Sequence, residues 1–230
     1  MIRENVLAIK RQVGFIASKI NRDPEQITIV AVSKGRSIEE IKEAIKAGIS
    51  DIGENRIQEA VVKYNTLKMR RPEFGNISWH FVGHLQTNKV KEAVRIFDLI
   101  QSVDSQRLAA EINKQAAHIG KIQDILIEVK TSPEATKFGF MPEEVIAAIK
   151  EMNKLKNINI KGLMTIAPRV DEPEKARPYF RLLRELKDNI TKALIPLTQP
   201  LILSMGMSDD FPIAIEEGAD MLRLGRAIFS

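Results

Sequence analysis

Apolar residues recur along this chain in two periods that take turns. Short runs dense in Ile, Val, Leu and Met stand at 28–34 (TIVAVSK), 51–55 (DIGEN), 78–83 (SWHFVG), 98–103 (DLIQSV), 124–130 (DILIEVK), 160–168 (IKGLMTIAP), 200–206 (PLILSMG) and 221–225 (MLRLG). Each has the length of a buried strand. Between them the apolar positions fall three and four apart, as with Ile38, Ile41, Ala44 and Ile45 after the first run, which is the spacing of one helix face. Strand and helix therefore alternate, and that order implies parallel strands joined by right-handed helical crossovers. Eight such units in 230 residues predict an α/β fold: a single (β/α)8 TIM barrel from about 28 to 225, with 1–230 as one domain. The chain stops just after the eighth run, and an amphipathic helix at 2–20 is placed to cover the gap this leaves in the outer layer.

Composition narrows the setting. With 44% hydrophobic and 28% charged residues the chain can bury a sizeable core. Cysteine is absent, so neither a disulfide framework nor a thiolate metal site can form, which suits a reducing compartment such as the cytoplasm. The opening MIRENVLAIKRQVG lacks the apolar run of a signal peptide, and no segment approaches the roughly 20 apolar residues that span a bilayer. The net charge of +5 is spread among acids, as in EEIKEAIK, and one Trp with two Tyr supplies no stacking set, so a nucleic-acid partner is not expected. His80 and His84 stand four apart, but on a strand that separates them by about 13 Å, too far to share a metal. His118 falls in a helical segment and reads as a surface residue.

In a barrel of this kind the active face lies where the strands end. Lys34, Glu54 with Asn55, Gly83 with His84, Ser102 with Asp104, Lys130, Thr165, Ser204, and Arg223 with Gly225 and Arg226 share that address. An ammonium at an apolar mouth loses hydration, which favours the neutral amine that attacks a carbonyl; a lysine snorkelling to solvent is the plainer alternative for Lys34. The loops after strands seven and eight often hold a phosphate. Here LSMGMSDD supplies Ser204, Gly206 and Ser208, and LRLGRAIF supplies Gly225 and Arg226. The same residues also serve as tight-turn glycines and a helix cap, and Asp209 and Asp210 favour that reading unless they face away.

The ordered motifs AVSK, DIGENRIQEA, WHFVGHLQTNK, SVDS, KFGF, GLMTIAP, LSMGMSDD and RLGRAIF, from about residue 28 to the end, resemble the YggS/PROSC family of pyridoxal phosphate homeostasis proteins. The resemblance implies a barrel similar to the alanine racemase N-terminal domain (fold type III) with pyridoxal 5′-phosphate at its mouth, joined to Lys34 as a Schiff base. It further implies that Ser204, Gly225 and Arg226 hold the phosphate and that Arg223 faces the pyridine nitrogen. Asn55, with Glu54 beside it, would line the edge of the cofactor, and His84 and Met205 would lie close by. The chain departs from many relatives at Gly35 and Arg36 after AVSK and at Lys130 on the fifth strand.

An arginine facing the ring nitrogen disfavours its protonation and weakens the electron sink that amino-acid chemistry requires. A racemase also needs a second acid/base, and the two tyrosines, Tyr64 and Tyr179, both lie in helical segments. The expectation is therefore a carrier that takes part in vitamin B6 and amino-acid homeostasis without ordinary turnover. It would exchange pyridoxal phosphate with dependent apoenzymes and act as a monomer. The alternatives are a barrel lyase or isomerase with a Schiff-base lysine, or a weak racemase.

Overall fold

The computed structural model describes residues 1–68, 76–132, 134, 138–194 and 200–230. Its eight parallel strands are β1 Thr28–Val32, β2 Asp51–Glu54, β3 Ser78–Phe81, β4 Leu99–Val103, β5 Gln123–Glu128, β6 Ile158–Met164, β7 Ile202–Ser204 and β8 Met221–Leu224. They close into a barrel in sequence order, with β8 returning to pair with β1. Every run read as a strand from its apolar density is one.

Helices α1 Ile2–Lys19, α2 Ile38–Lys46, α3 Ile57–Lys68, α4 Val90–Ile96, α5 Gln106–His118, α6 Val145–Met152, α7 Arg177–Ala193, α8 Phe211–Glu216 and α9 Arg226–Phe229 surround it. In α1 the buried residues Ile2, Val6, Ile9, Val13, Ile16 and Ala17 form one stripe, which lies against α2, α8 and α9. That contact covers the place where the final helix is only four residues long. The start of α2 is set locally: Ser37 caps the helix in a reciprocal box with Glu40.

The period-2 alternation of the strands divides the core. Val30, Leu99, Leu126, Met164 and Met221 form a cluster inside the barrel, while alternate residues such as Ala31, Ile52, Ile100, Ile125 and Leu203 join the larger layer beneath the helices. Among the described residues no helix is long and apolar enough to cross a membrane.

Candidate functional site at the barrel mouth

A cavity of about 770 Å³ opens at the C-terminal ends of the strands. Its side walls are Val32, Val82 and Ile166; Lys34, Asn55, Arg223, Gly225 and Arg226 line it, with Met207, Ser208, Asp209 and Asp210 from the loop after β7. Of the residues the resemblance sets around a cofactor, Lys34, Asn55, Arg223, Gly225 and Arg226 therefore meet in one place. Lys34 is exposed at the end of β1, and among the described residues it is the one lysine of the cavity lining. Gly35 follows with φ +67°, a left-handed conformation that bends the chain away after the lysine.

Ser204, Met205, His84 and Glu54 lie off the cavity wall. Ser204 is fully buried below the cavity, where its hydroxyl donates to Gln101 Oε1 at 2.6 Å and accepts from Arg223 Nη1 at 2.7 Å. Met205 faces the opposite side of β7 and is buried in the outer core, as alternation requires of the residue after Ser204. His84 is on the outer rim, its Nδ1 3.1 Å from Asp104 Oδ2 and its ring stacked on Phe138 with centroids 3.7 Å apart. Glu54 also leaves the mouth: it points under α3 and pairs with Lys63 at 2.6 Å. Lys130 is half-buried and off the cavity wall.

The serine on the wall is Ser208. Gly206, with φ +92°, turns the chain back after β7; a Cβ there would stand 2.6 Å from Ala214 Cβ, so the tight return needs glycine. The turn carries Ser208 to the mouth, where its Oγ accepts from the backbone N–H of Ala227 at 3.1 Å and so ties this loop to the start of α9. Asp209 pairs with Arg226, and Asp210 accepts from Met207 N–H at 2.6 Å. The two acids thus have partners of their own beside the phosphate-type loop. Burial raises the carboxyl of Asp210 above its ordinary value, with that N–H bond and the charge of Arg223 opposing.

Arg223 is the buried charge of the site. Nη2 donates to the carbonyl of Thr165 at 2.7 Å and Nη1 to Ser204, and Glu128 and Asp210 supply opposite charge nearby. Burial lowers it to about 10, with the two carboxylates opposing, so it remains a cation and a pure donor at neutral pH. Glu128 is pushed up to about 7 by burial first and Asp104 second, against the pull of Arg223. The sequence reading missed Gln101 and weighed His80 only as a metal ligand, because both lie within the strands, below the ends where it looked for chemistry; it passed over Glu128, the last residue of β5, by taking that strand to run on to Lys130.

No trio of metal-ligating side chains is assembled among the described residues. His80 is inside the barrel on Asp51, 2.9 Å away, and His84 is outside it, so the two histidines do not converge.

Comparison with known proteins agrees with the fold. The family model described as alanine racemase, N-terminal domain, matches residues 5–230. A pyridoxal phosphate homeostasis protein from Aquifex aeolicus is 39% identical over 227 residues, covering 98% of this chain and 96% of the relative. A protein of the same name from Escherichia coli is 35% identical over 236 residues, covering 99% and 95%. Among solved structures, PipY of Synechococcus elongatus with PLP bound superposes with a TM-score of 0.83 at 33% identity, covering all of both chains. An unknown protein from Bifidobacterium adolescentis gives a TM-score of 0.93 at 35% identity over 99% of this chain and 94% of the other. An alanine racemase from Clostridium difficile shares the fold at 18% identity and a TM-score of 0.73, with this chain covering 56% of it. The chain belongs to the alanine racemase N-terminal-domain family, among relatives that carry the name pyridoxal phosphate homeostasis protein.

Proposed function

We propose that this protein binds pyridoxal 5′-phosphate in the mouth cavity, with Lys34 as its covalent attachment, and holds and exchanges it without ordinary turnover. The single observation that carries this is the meeting of one exposed amine, one buried guanidinium and a hydroxyl-bearing loop around a cavity of about 770 Å³. When bound, the cofactor supplies an aldehyde that condenses with a primary amine and a ring whose electron demand depends on its nitrogen.

The residues suit that group. Lys34 offers the amine. Val32, Val82 and Ile166 offer apolar contact to a flat ring. Ser208, Gly225 and Arg226 are the phosphate anchors in this proposal; Ser204, bonded on both sides, serves to hold Arg223. Arg223 can only donate, so a ring nitrogen beside it must accept and stays unprotonated. That opposes the carbanion chemistry of amino-acid enzymes. The tyrosines give no help on the far face: Tyr64 packs edge-on against Trp79, and Tyr179 is on α7.

In this proposal the protein acts as a monomer that passes cofactor to dependent apoenzymes. The absence of cysteine fits the cytoplasm as the place where it does so. The test is transfer: protein loaded with pyridoxal phosphate and freed of excess is mixed with a dependent apoenzyme, and recovery of that enzyme's activity is followed. Cofactor release and reactivation are expected; a protein that takes up no cofactor would defeat the proposal.

A further inference from the structure

Five side chains inside the barrel form one hydrogen-bonded chain. Arg223 Nη1 is 2.7 Å from Ser204 Oγ, which is 2.6 Å from Gln101 Oε1. Gln101 Nε2 is 3.1 Å from His80 Nδ1, and His80 Nε2 is 2.9 Å from Asp51 Oδ1. The chain crosses the interior from β8 and β7 to β4, β3 and β2. It starts at a residue of the mouth cavity and ends at Asp51, which lines a groove between Lys10, Glu25 and Gly48 at the other end of the strands. Gln101 faces the interior two residues after Leu99, as strand alternation requires, with the outward Ile100 between them.

The direction of every link is determined. A guanidinium has donors only, so Ser204 accepts from Arg223 and must give its one proton to Gln101 Oε1. That places the amide N–H₂ toward His80, where it also meets Met221 Sδ at 3.0 Å. Turning the amide over would set its oxygen against that sulfur and leave the Ser204 proton without an acceptor. His80 Nδ1 therefore accepts, its proton is on Nε2, and it donates to Asp51. Burial acts to raise the Asp51 carboxyl, but the bonds from His80 and Ser50 outweigh it and hold Asp51 below its ordinary value, as an ionised terminus requires. All the inner members are buried.

We propose that Gln101 and His80 are positioning residues for Arg223: a one-way hydrogen-bond chain from Asp51 fixes where the guanidinium points. Glu128 and Asp210 attract Arg223 from β5 and from the loop after β7. Neither carboxylate is hydrogen-bonded to it among the described residues, so the charge attraction leaves its direction open. Ser204 and the Thr165 carbonyl supply that direction, and Ser204 can accept only while Gln101 takes its proton. The chain makes a demand that ordinary core polarity does not: one tautomer of His80 and one face of Gln101 are compatible with the observed Arg223.

The ligand part of the test rests on the proposed cofactor site; the resonance part does not. Nitrogen NMR of the labelled full chain is expected to find the His80 proton on Nε2 and none on Nδ1. In Gln101→Leu the Arg223 N–H signals should exchange with water faster. Affinity for pyridoxal phosphate and for unphosphorylated pyridoxal should fall by a common factor, about five- to tenfold for one lost buried hydrogen bond. Gln101→Glu keeps an acceptor for Ser204 and presents a second oxygen to His80. That oxygen also meets Met221 Sδ, so the link to Ser204 is restored while the link to His80 is not, and Arg223 signals and affinity should lie between those of Gln101→Leu and the wild type. Finding His80 protonated on Nδ1 in the wild type would overturn the proposal. So would a Gln101→Leu protein that melts earlier while its Arg223 signals and ligand affinity stay unchanged. A wild type that binds no cofactor would remove the proposed function, and the His80 and Arg223 resonances would still decide for or against the chain.

Discussion

Glu128 sits 7% exposed on an inward position of β5, and no side chain hydrogen-bonds it among the described residues. Its carboxyl rises from 4.5 to about 7, so between those values the folded protein holds a proton that the unfolded chain releases. Stability therefore declines as pH climbs through this window, and the full cost, about 3 kcal/mol at 1.36 kcal/mol per pKa unit, is present above it. Glu128→Gln should match wild type near pH 4 and exceed it near pH 8, checked by urea unfolding at both values. A second residue-scale expectation separates the two serines of LSMGMS. Ser208→Ala should weaken retention of pyridoxal phosphate by roughly tenfold, about 1.4 kcal/mol, and leave unphosphorylated pyridoxal almost unaffected. Ser204→Ala should weaken both alike, through Arg223. Competition dialysis with the two ligands makes the comparison. The sequence pointed to Ser204 because it ends the strand; the turn at Gly206 that brings Ser208 to the wall instead is a matter of φ, which residue spacing does not display.

Between elements, one ion pair fastens the lysine-bearing end of β1. Lys63 of α3 is 7% exposed and donates to the Ser33 carbonyl and to Glu54 Oε1, each at 2.6 Å. Ser33 donates to the same carboxylate, and Glu59 of α3 accepts from Gly35 N–H at 3.1 Å. The residues on both sides of Lys34 are thus held from the helix behind them. Lys63→Met would leave the Glu54 carboxylate buried without its cation, a change that costs about 3–5 kcal/mol. A fall in thermal unfolding temperature and faster amide exchange at Ser33 and Gly35 are the measurements. At this scale the pattern of apolar residues was almost sufficient. The stripe of α1 predicts its own burial, and even β7, three residues long, shows in PLILSMG. The inward or outward turn of Glu54 was the harder matter, because it depends on which strand residues face the lumen. Gly53, whose Cβ would stand 2.9 Å from Val30 Cγ1, occupies the inward position and sends Glu54 outward.

Over the whole molecule, closure in sequence order is what assembles the proposed cofactor site. It gathers β1, β2, β7 and β8 residues, far apart in the chain, around one mouth, and it leaves the far face of that mouth without a tyrosine. Loaded protein should therefore turn over the common L- and D-amino acids well below about 1 s⁻¹, the low end of ordinary enzymes, as followed by chiral chromatography. Barrel and mouth were legible from the eightfold alternation and the strand-end residues. The buried chain from Arg223 to Asp51 was not, since it depends on which residues of different strands meet across the lumen. The central claim is that Lys34 carries pyridoxal phosphate, and borohydride reduction of the loaded protein followed by peptide mass mapping tests it most directly. Reduction should fix the cofactor on Lys34 alone, and Lys34→Ala should fold as the wild type does yet yield no labelled peptide. A label on Lys130 or any other lysine in the wild type, or a label of undiminished yield in Lys34→Ala, would contradict it.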